Sequence, residues 1–132
     1  MIKELCEYIE DNTDFTVGTD LFALSEDTDS VDDCIIIAEP SPGLADALLT
    51  DKRQVPLVAY ARSTDKHTAR TNAYAVFDAL HGIFQVSLPV VGSGPIYLCN
   101  ISCSTPYYLG LDESERRAVY AMPFDVHVTN ML

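Results

Sequence analysis

No stretch of this 132-residue sequence approaches the ~18 consecutive apolar residues that a membrane-spanning helix needs. The opening residues, MIKELCEYIED, lack a basic region followed by an apolar run, so no secretory signal is expected. The protein is expected to be soluble, with no membrane partner, and to stay in the cell that makes it. Cysteine occurs four times (Cys6, Cys34, Cys99 and Cys103) but in no CxxC pair, and no histidine stands at zinc-like spacing from it. Free buried thiols are the expectation. If Cys99 and Cys103, four apart, lie on one strand, they face the same side but are too far apart to bridge. Positive charge is scarce: 8 Lys and Arg stand against 20 Asp and Glu, for a net of −12. A surface of that sign repels nucleic-acid phosphate and argues against a DNA- or RNA-binding role. Two readings of the acidity stand side by side. It keeps the protein soluble, or it lines a ring through which DNA slides without sticking.

Catalytic and ligand-binding motifs are also missing, so no catalytic, cofactor or metal residue is assigned and no enzyme is expected. Gly92-Ser93-Gly94 has Tyr97 where a dinucleotide fingerprint needs its third glycine, and no Walker Gly-Lys-Ser/Thr is present. Ser93 lacks the GxSxG setting of a hydrolase nucleophile. His67, His81 and His127 are scattered, with no i, i+4 pair to hold a metal. His67 and His81 flank a helix, where surface or capping roles are expected. The acidic run from Ser25 to Asp33 invites a calcium reading through Asp27 and Asp29. An EF-hand template then fails: its third ligand falls on Val31, its glycine on Asp32 and its last glutamate on Ala38. A solvated loop is expected instead. Asn100-Ile101-Ser102 matches a glycosylation acceptor, which has no meaning without secretion.

What is present is a core. Apolar residues make up 48% of the chain, enough for a single domain over residues 1–132. Ile2, Leu5, Cys6 and Ile9 fall on one helix face, opposite Lys3, Glu4, Glu7 and Glu10. That helix ends near Asn12. A short strand is expected after Gly18, around Leu21 to Leu24. CIIIA, Cys34 to Ala38, is a β-branched run of the kind found in central strands. Pro40 and Pro42-Gly43 then open a long connection over 41–54, in which Leu44 to Leu49 could form a helical turn. PLVAYAR, Pro56 to Arg62, is the next strand. Thr64 or Asp65 caps a second helix, whose stripe is Ala69, Ala73, Val76, Phe77 and Leu80, with Gly82 as its stop. Its small residues predict close packing on a sheet.

The last third is β-rich. Strands are expected within Ile83 to Val91 and over Ile96 to Ser104, the latter with Tyr97, Cys99, Ile101 and Cys103 on one face. Tyr107 to Arg117 is read as a loop with a charged tip. From Ala118 to Val128 the alternation places Tyr120, Met122, Phe124, Val126 and Val128 on one face and His127 on the other. Pro123 cannot donate to a ladder, which predicts an edge position or a bulge there. The fold class is therefore α+β: a mostly antiparallel sheet with two helices packed on one face.

Three passages carry a family resemblance: VPLVAYARSTDKHTARTNAYAVFDALHG (55–82), VVGSGPIYLCNISCSTPYYLGLDESERRAVYAMPFDVHV (90–128) and, more weakly, FTVGTDLFAL (15–24). The most characteristic residues are Pro56 and Arg62 bounding a strand, Ala69-Arg70 with Ala73 and Phe77, and Tyr108-Leu109-Gly110 with Asp112 and Glu113. In these the chain resembles the minor capsid and tail-terminator proteins of long-tailed (siphovirus-type) phages. The acidic 25–33 loop has no counterpart in that pattern. The resemblance implies a tail-terminator-like fold and a homohexameric ring on the head-proximal end of a tail tube. The ring would stop tube polymerisation and offer the head-joining surface. Its implied partners are the tail tube protein and a head-completion or connector protein, with DNA passing the lumen unbound. Its implied place is the virion tail, after assembly in the host bacterial cytoplasm. A ring subunit needs two complementary surfaces at a fixed rotation, and the 41–54 loop, the 105–117 loop and the Pro123 strand are the candidates. Within them Tyr107, Tyr108, Leu109 and Pro123 are the expected interface residues. The competing expectation for the tyrosines is that they fold back onto their own core. Other readings remain: a head-completion or neck connector protein, a small-molecule-binding domain or enzyme with a deep pocket, and a monomeric acidic module binding basic partners.

Overall fold

The computed structural model describes residues 2–23, 32–39, 44–45, 52–88, 96–112 and 116–131. The elements in chain order are α1 (Ile2–Asn12), β1 (Leu21–Ala23), β2 (Cys34–Ala38), β3 (Leu44–Ala45), β4 (Lys52–Ser63), α2 (Lys66–Leu80), β5 (Ile83–Leu88), β6 (Ile96–Cys103), β7 (Tyr107–Leu111) and β8 (Ala118–Met131). The strands form one eight-stranded sheet of order β1-β2-β4-β8-β6-β5, with β3 also on β4 and β7 also on β8. Only the β1–β2 pair is parallel among the described strands. The α+β class, with a mostly antiparallel sheet and two helices, is therefore what the chain adopts.

Two long strands organise the sheet. β4 and β8 pair from Lys52↔Thr129 to Ser63↔Ala118. Their register places Val55, Leu57, Ala59 and Ala61 on the same face as Val126, Phe124, Met122 and Tyr120, and all eight are buried. Ile35 and Ile37 of β2 and Cys99 and Ile101 of β6 extend that face. Both helices lie over it. α1 contributes Leu5, Cys6 and Ile9; α2 contributes Ala69, Ala73, Val76 and Leu80. Small residues on both layers, Ala69 and Ala73 above and Ala59 and Ala61 below, belong to one buried cluster. They let α2 approach the sheet closely, as the alanine-rich stripe predicts.

Local chemistry sets the ends of α2. Asp65 is the N-cap: its carboxylate accepts from the His67 backbone N–H at 3.1 Å and the Thr68 hydroxyl at 3.0 Å. At the other end His81 caps the helix, its backbone N–H donating to the Phe77 carbonyl at 2.8 Å. Gly82 follows at φ 79°, where a Cβ is strained. Replacing Asp65 with alanine is expected to cost about 1 kcal/mol, read as a lower urea midpoint with an unchanged slope.

Three expectations need correction. Residues 41–54 are not one loop with a helical turn: Leu44–Ala45 are extended and pair with Gln54 and Arg53, and β4 starts at Lys52. Pro56 does not open its strand. It lies inside β4, between the stretch that pairs with β3 and the stretch that pairs with β2, where no ladder donor is needed on that side among the described strands. The same logic explains Pro123. β8 is no edge, being paired with β4 along one side and with β7 and β6 in turn along the other. Pro123 falls where β7 has ended and β6 has not begun, and its carbonyl accepts the Ser104 N–H at 2.8 Å. The acidic 25–31 segment and the Gly92–Pro95 turn lie outside the described residues.

Candidate subunit interface

The 105–117 segment is the largest departure from expectation, because it is a β-hairpin arm rather than a loop. β7 pairs with β8 through Tyr107↔Ala121, Tyr108↔Tyr120, Gly110↔Val119 and Leu111↔Ala118. The register slips between Tyr108 and Gly110, so Leu109 is the extra residue of a β-bulge. Gly110 sits at φ 136°, a value L-residues avoid. β7 pairs with β8 alone among the described strands, which leaves its outer backbone edge open. Along that edge Tyr107, Tyr108, Leu109 and Leu111 are 49%, 41%, 54% and 58% exposed. An open edge carrying four large apolar side chains is a surface that proteins normally cover or charge.

The expected interface residues divide between two faces. Tyr108 shares the helix side of the sheet: its ring lies 5.6 Å from that of Tyr120, and Lys66 Nζ stands 4.1 Å above its centroid. Tyr107 shares the opposite side with Pro123, which is half-buried. On that opposite side the registers align one row across five strands, Phe22–Ile36–Tyr60–Ala121–Tyr107. Leu111, Lys66 and this row escape a reading of the sequence, because each depends on which strands become neighbours.

A charged clasp holds the arm. Arg117 is 5% exposed, and its Nε donates to the Asp112 carboxylate. Asp112 also accepts the backbone N–H groups of Arg116 and Arg117 at 3.4 and 3.3 Å, and its own N–H donates to the Arg117 carbonyl at 2.9 Å. Asp32, just before β2, meets Arg116 at 2.8 Å and Arg117 at 3.6 Å. Next to it Asp33 accepts from the Ser63 hydroxyl, which in turn accepts the Asp65 N–H at 3.1 Å. The arm, the start of β2 and the β4–α2 junction are thus tied at one end of the sheet.

The remaining polar groups read as structural. His81 stacks on Phe77 at 4.8 Å, and its Nδ1 accepts the Cys103 N–H at 3.3 Å, joining the end of α2 to β6. His67 and His127 are exposed. No disulfide joins any of the four cysteines. Burial pushes the Cys103 thiol up to about 12. Burial also raises the Cys34 thiol, against the opposing pull of Arg62 and Arg117. Thiols held protonated are poor nucleophiles. Among the described residues no three His, Cys, Asp or Glu side chains gather to hold a metal, and no helix is long and apolar enough to cross a membrane.

No protein-family model and no curated protein matches the chain. Its fold does match a chain of a solved particle described as the virion of native gene transfer agent (GTA) particle. The TM-score is 0.58, at 17% sequence identity, over 85% of this chain and 80% of that one. At that identity the likeness is one of fold.

Proposed function

We propose that this chain is a structural subunit of a phage-like virion. Six copies form a ring at the head-proximal end of a tail tube, where they end tube polymerisation and provide the surface that joins the head. The observation that carries this reading is the β7 edge, open among the described strands, with its exposed Tyr107, Tyr108, Leu109 and Leu111: a surface suited to assembly on a chain whose sequence offers no catalytic motif. The fold shared with a chain of a virion supports it. So does the net charge of −12, which suits a lumen that must pass DNA without binding it. Tail tube and head-completion proteins are the partners of such a ring.

Native mass spectrometry at high protein concentration, with and without magnesium, tests the proposal. Magnesium is included because six copies of a strongly acidic chain repel one another and a divalent cation relieves that repulsion. A hexamer is the expected species. A closed dimer or tetramer would count against the ring. Replacing both Tyr107 and Tyr108 with serine is expected to abolish the hexamer while the monomer stays folded by circular dichroism, with a somewhat lower unfolding midpoint because Tyr108 loses its contacts with Tyr120 and Lys66. A collapse of the fold in that variant would instead mean that the tyrosines serve their own core.

A further inference from the structure

The outer faces of the two helices differ in charge. On α1, Glu7 and Asp11 are exposed and stand one helical turn apart, with exposed Lys3 one turn before them and exposed Asp14 just beyond. On α2, Lys66 and Arg70 are exposed at the same four-residue spacing. Four residues correspond to about 6 Å along either helix. Both α2 cations rest on aromatic rings, Lys66 on Tyr108 and Arg70 on Tyr74 at 4.7 Å. This arrangement makes one cationic and aromatic surface that continues from α2 to the exposed Tyr108 of β7, with exposed Leu109 next to it in the chain. Asp65, exposed at its start, is engaged as the helix cap, and exposed Asp78 bounds its far end. In a chain of net charge −12, two cations at matched pitch beside an apolar edge are a local exception.

We propose that this α2–β7 surface docks the acidic Glu7–Asp11 face of α1 in a second copy of the chain. The inference rests on the ring reading above and names the two surfaces that meet in it. The contact is heterologous, one patch against a different patch, which is the kind that generates rings. Tyr108 and Leu109 supply the buried area, while the charge pairs set the register and reject other alignments. A second copy is the fitting occupant because the matching row, of opposite sign and equal spacing, is present on the chain itself.

Two charge-reversed variants test it: Lys66→Glu with Arg70→Glu, and Glu7→Lys with Asp11→Lys. Both leave the fold intact, since each places its new charge where the helix dipole favours it or on a solvent-facing turn. Unchanged circular dichroism spectra and cooperative unfolding check this, with a small fall in midpoint for the α2 variant, which loses its two cation–ring contacts. Each variant alone is expected to need about tenfold more protein to assemble, because two attractive pairs become repulsive. An equimolar mixture of the two is expected to assemble again, as every contact in an alternating ring then joins opposite charges. Two results would overturn the proposal. If the wild type forms a hexamer and both variants do so equally well, these faces do not meet, although the ring stands. If the wild type forms no ring at all, the ring reading fails and this contact fails with it.

Discussion

Replacing Arg117 with leucine is expected to lower stability by about 3–5 kcal/mol. Arg117 is almost fully buried, and Asp112, with which it pairs, has a side chain only 12% exposed. Removing the guanidinium leaves that carboxylate with its backbone donors but without its charge partner, in surroundings largely shielded from water. A domain of this size is stable by roughly 5–15 kcal/mol, so the loss is a large share of the total. The Arg116–Asp32 pair sets the contrast. Its two side chains are 55% and 44% exposed, so Arg116→Ala is expected to cost less than about 1 kcal/mol. Urea unfolding of both variants measures the difference. A double replacement, Arg117→Leu with Asp112→Asn, is expected to recover part of the loss, because it removes the uncompensated charge while the amide oxygen can still accept the backbone N–H groups of Arg116 and Arg117. A cost for Arg117→Leu no larger than that for Arg116→Ala would show that the buried pair is screened after all. The arm carrying β7 would then be held by its strand pairing alone.

Met122→Ala is expected to cost about 2–5 kcal/mol. Met122 is fully buried in the middle of β8, opposite Ala59, with Tyr120 and Phe124 beside it on the same face. Its neighbour Ala59 is too small to fill the space, so a cavity remains along with the lost transfer energy. His127 on the other face of the same strand is exposed, and His127→Ala is expected to stay within about 0.5 kcal/mol. Comparing the unfolding midpoints of these two variants checks which face of β8 the helices cover. Equal effects would be incompatible with the register that places Met122 opposite Ala59.

Why some features were legible from sequence and others were not becomes clear from particular residues. Helix α1 announced itself through Leu5, Cys6 and Ile9, and α2 through its alanine stripe and the Asp65 cap, because helix formation and capping are decided within a few residues. β8 was legible because one of its faces is buried and the other is not, which leaves a period-two pattern. β7 gave no such pattern. Tyr107, Tyr108, Leu109 and Leu111 are all exposed, so no alternation of buried and exposed residues exists to be seen. The bulge at Leu109 breaks what periodicity remained. Pro123 cannot donate to a ladder, yet an edge and a bulge, the two outcomes expected from the sequence, are not the only ways to satisfy that, and it pairs with Val58 all the same. The junction between β6 and β7 is a third way.

The sequence by itself determined the α+β class, the two helices, the core face of the long strands and the lack of any local catalytic motif. Each of these rests on interactions between residues close in the chain, or on composition. Only the tertiary structure decided the rest. Strand order and register placed Tyr107 beside Ala121 and Lys66 over Tyr108, and brought Asp32 to the arginines at the start of β8. Such pairings depend on which distant segments share a backbone ladder, and a shift of one residue would turn every side chain to the other face. The outer edge of β7, open among the described strands, has the same origin: it is set by which strands pair, which no local pattern of residues encodes.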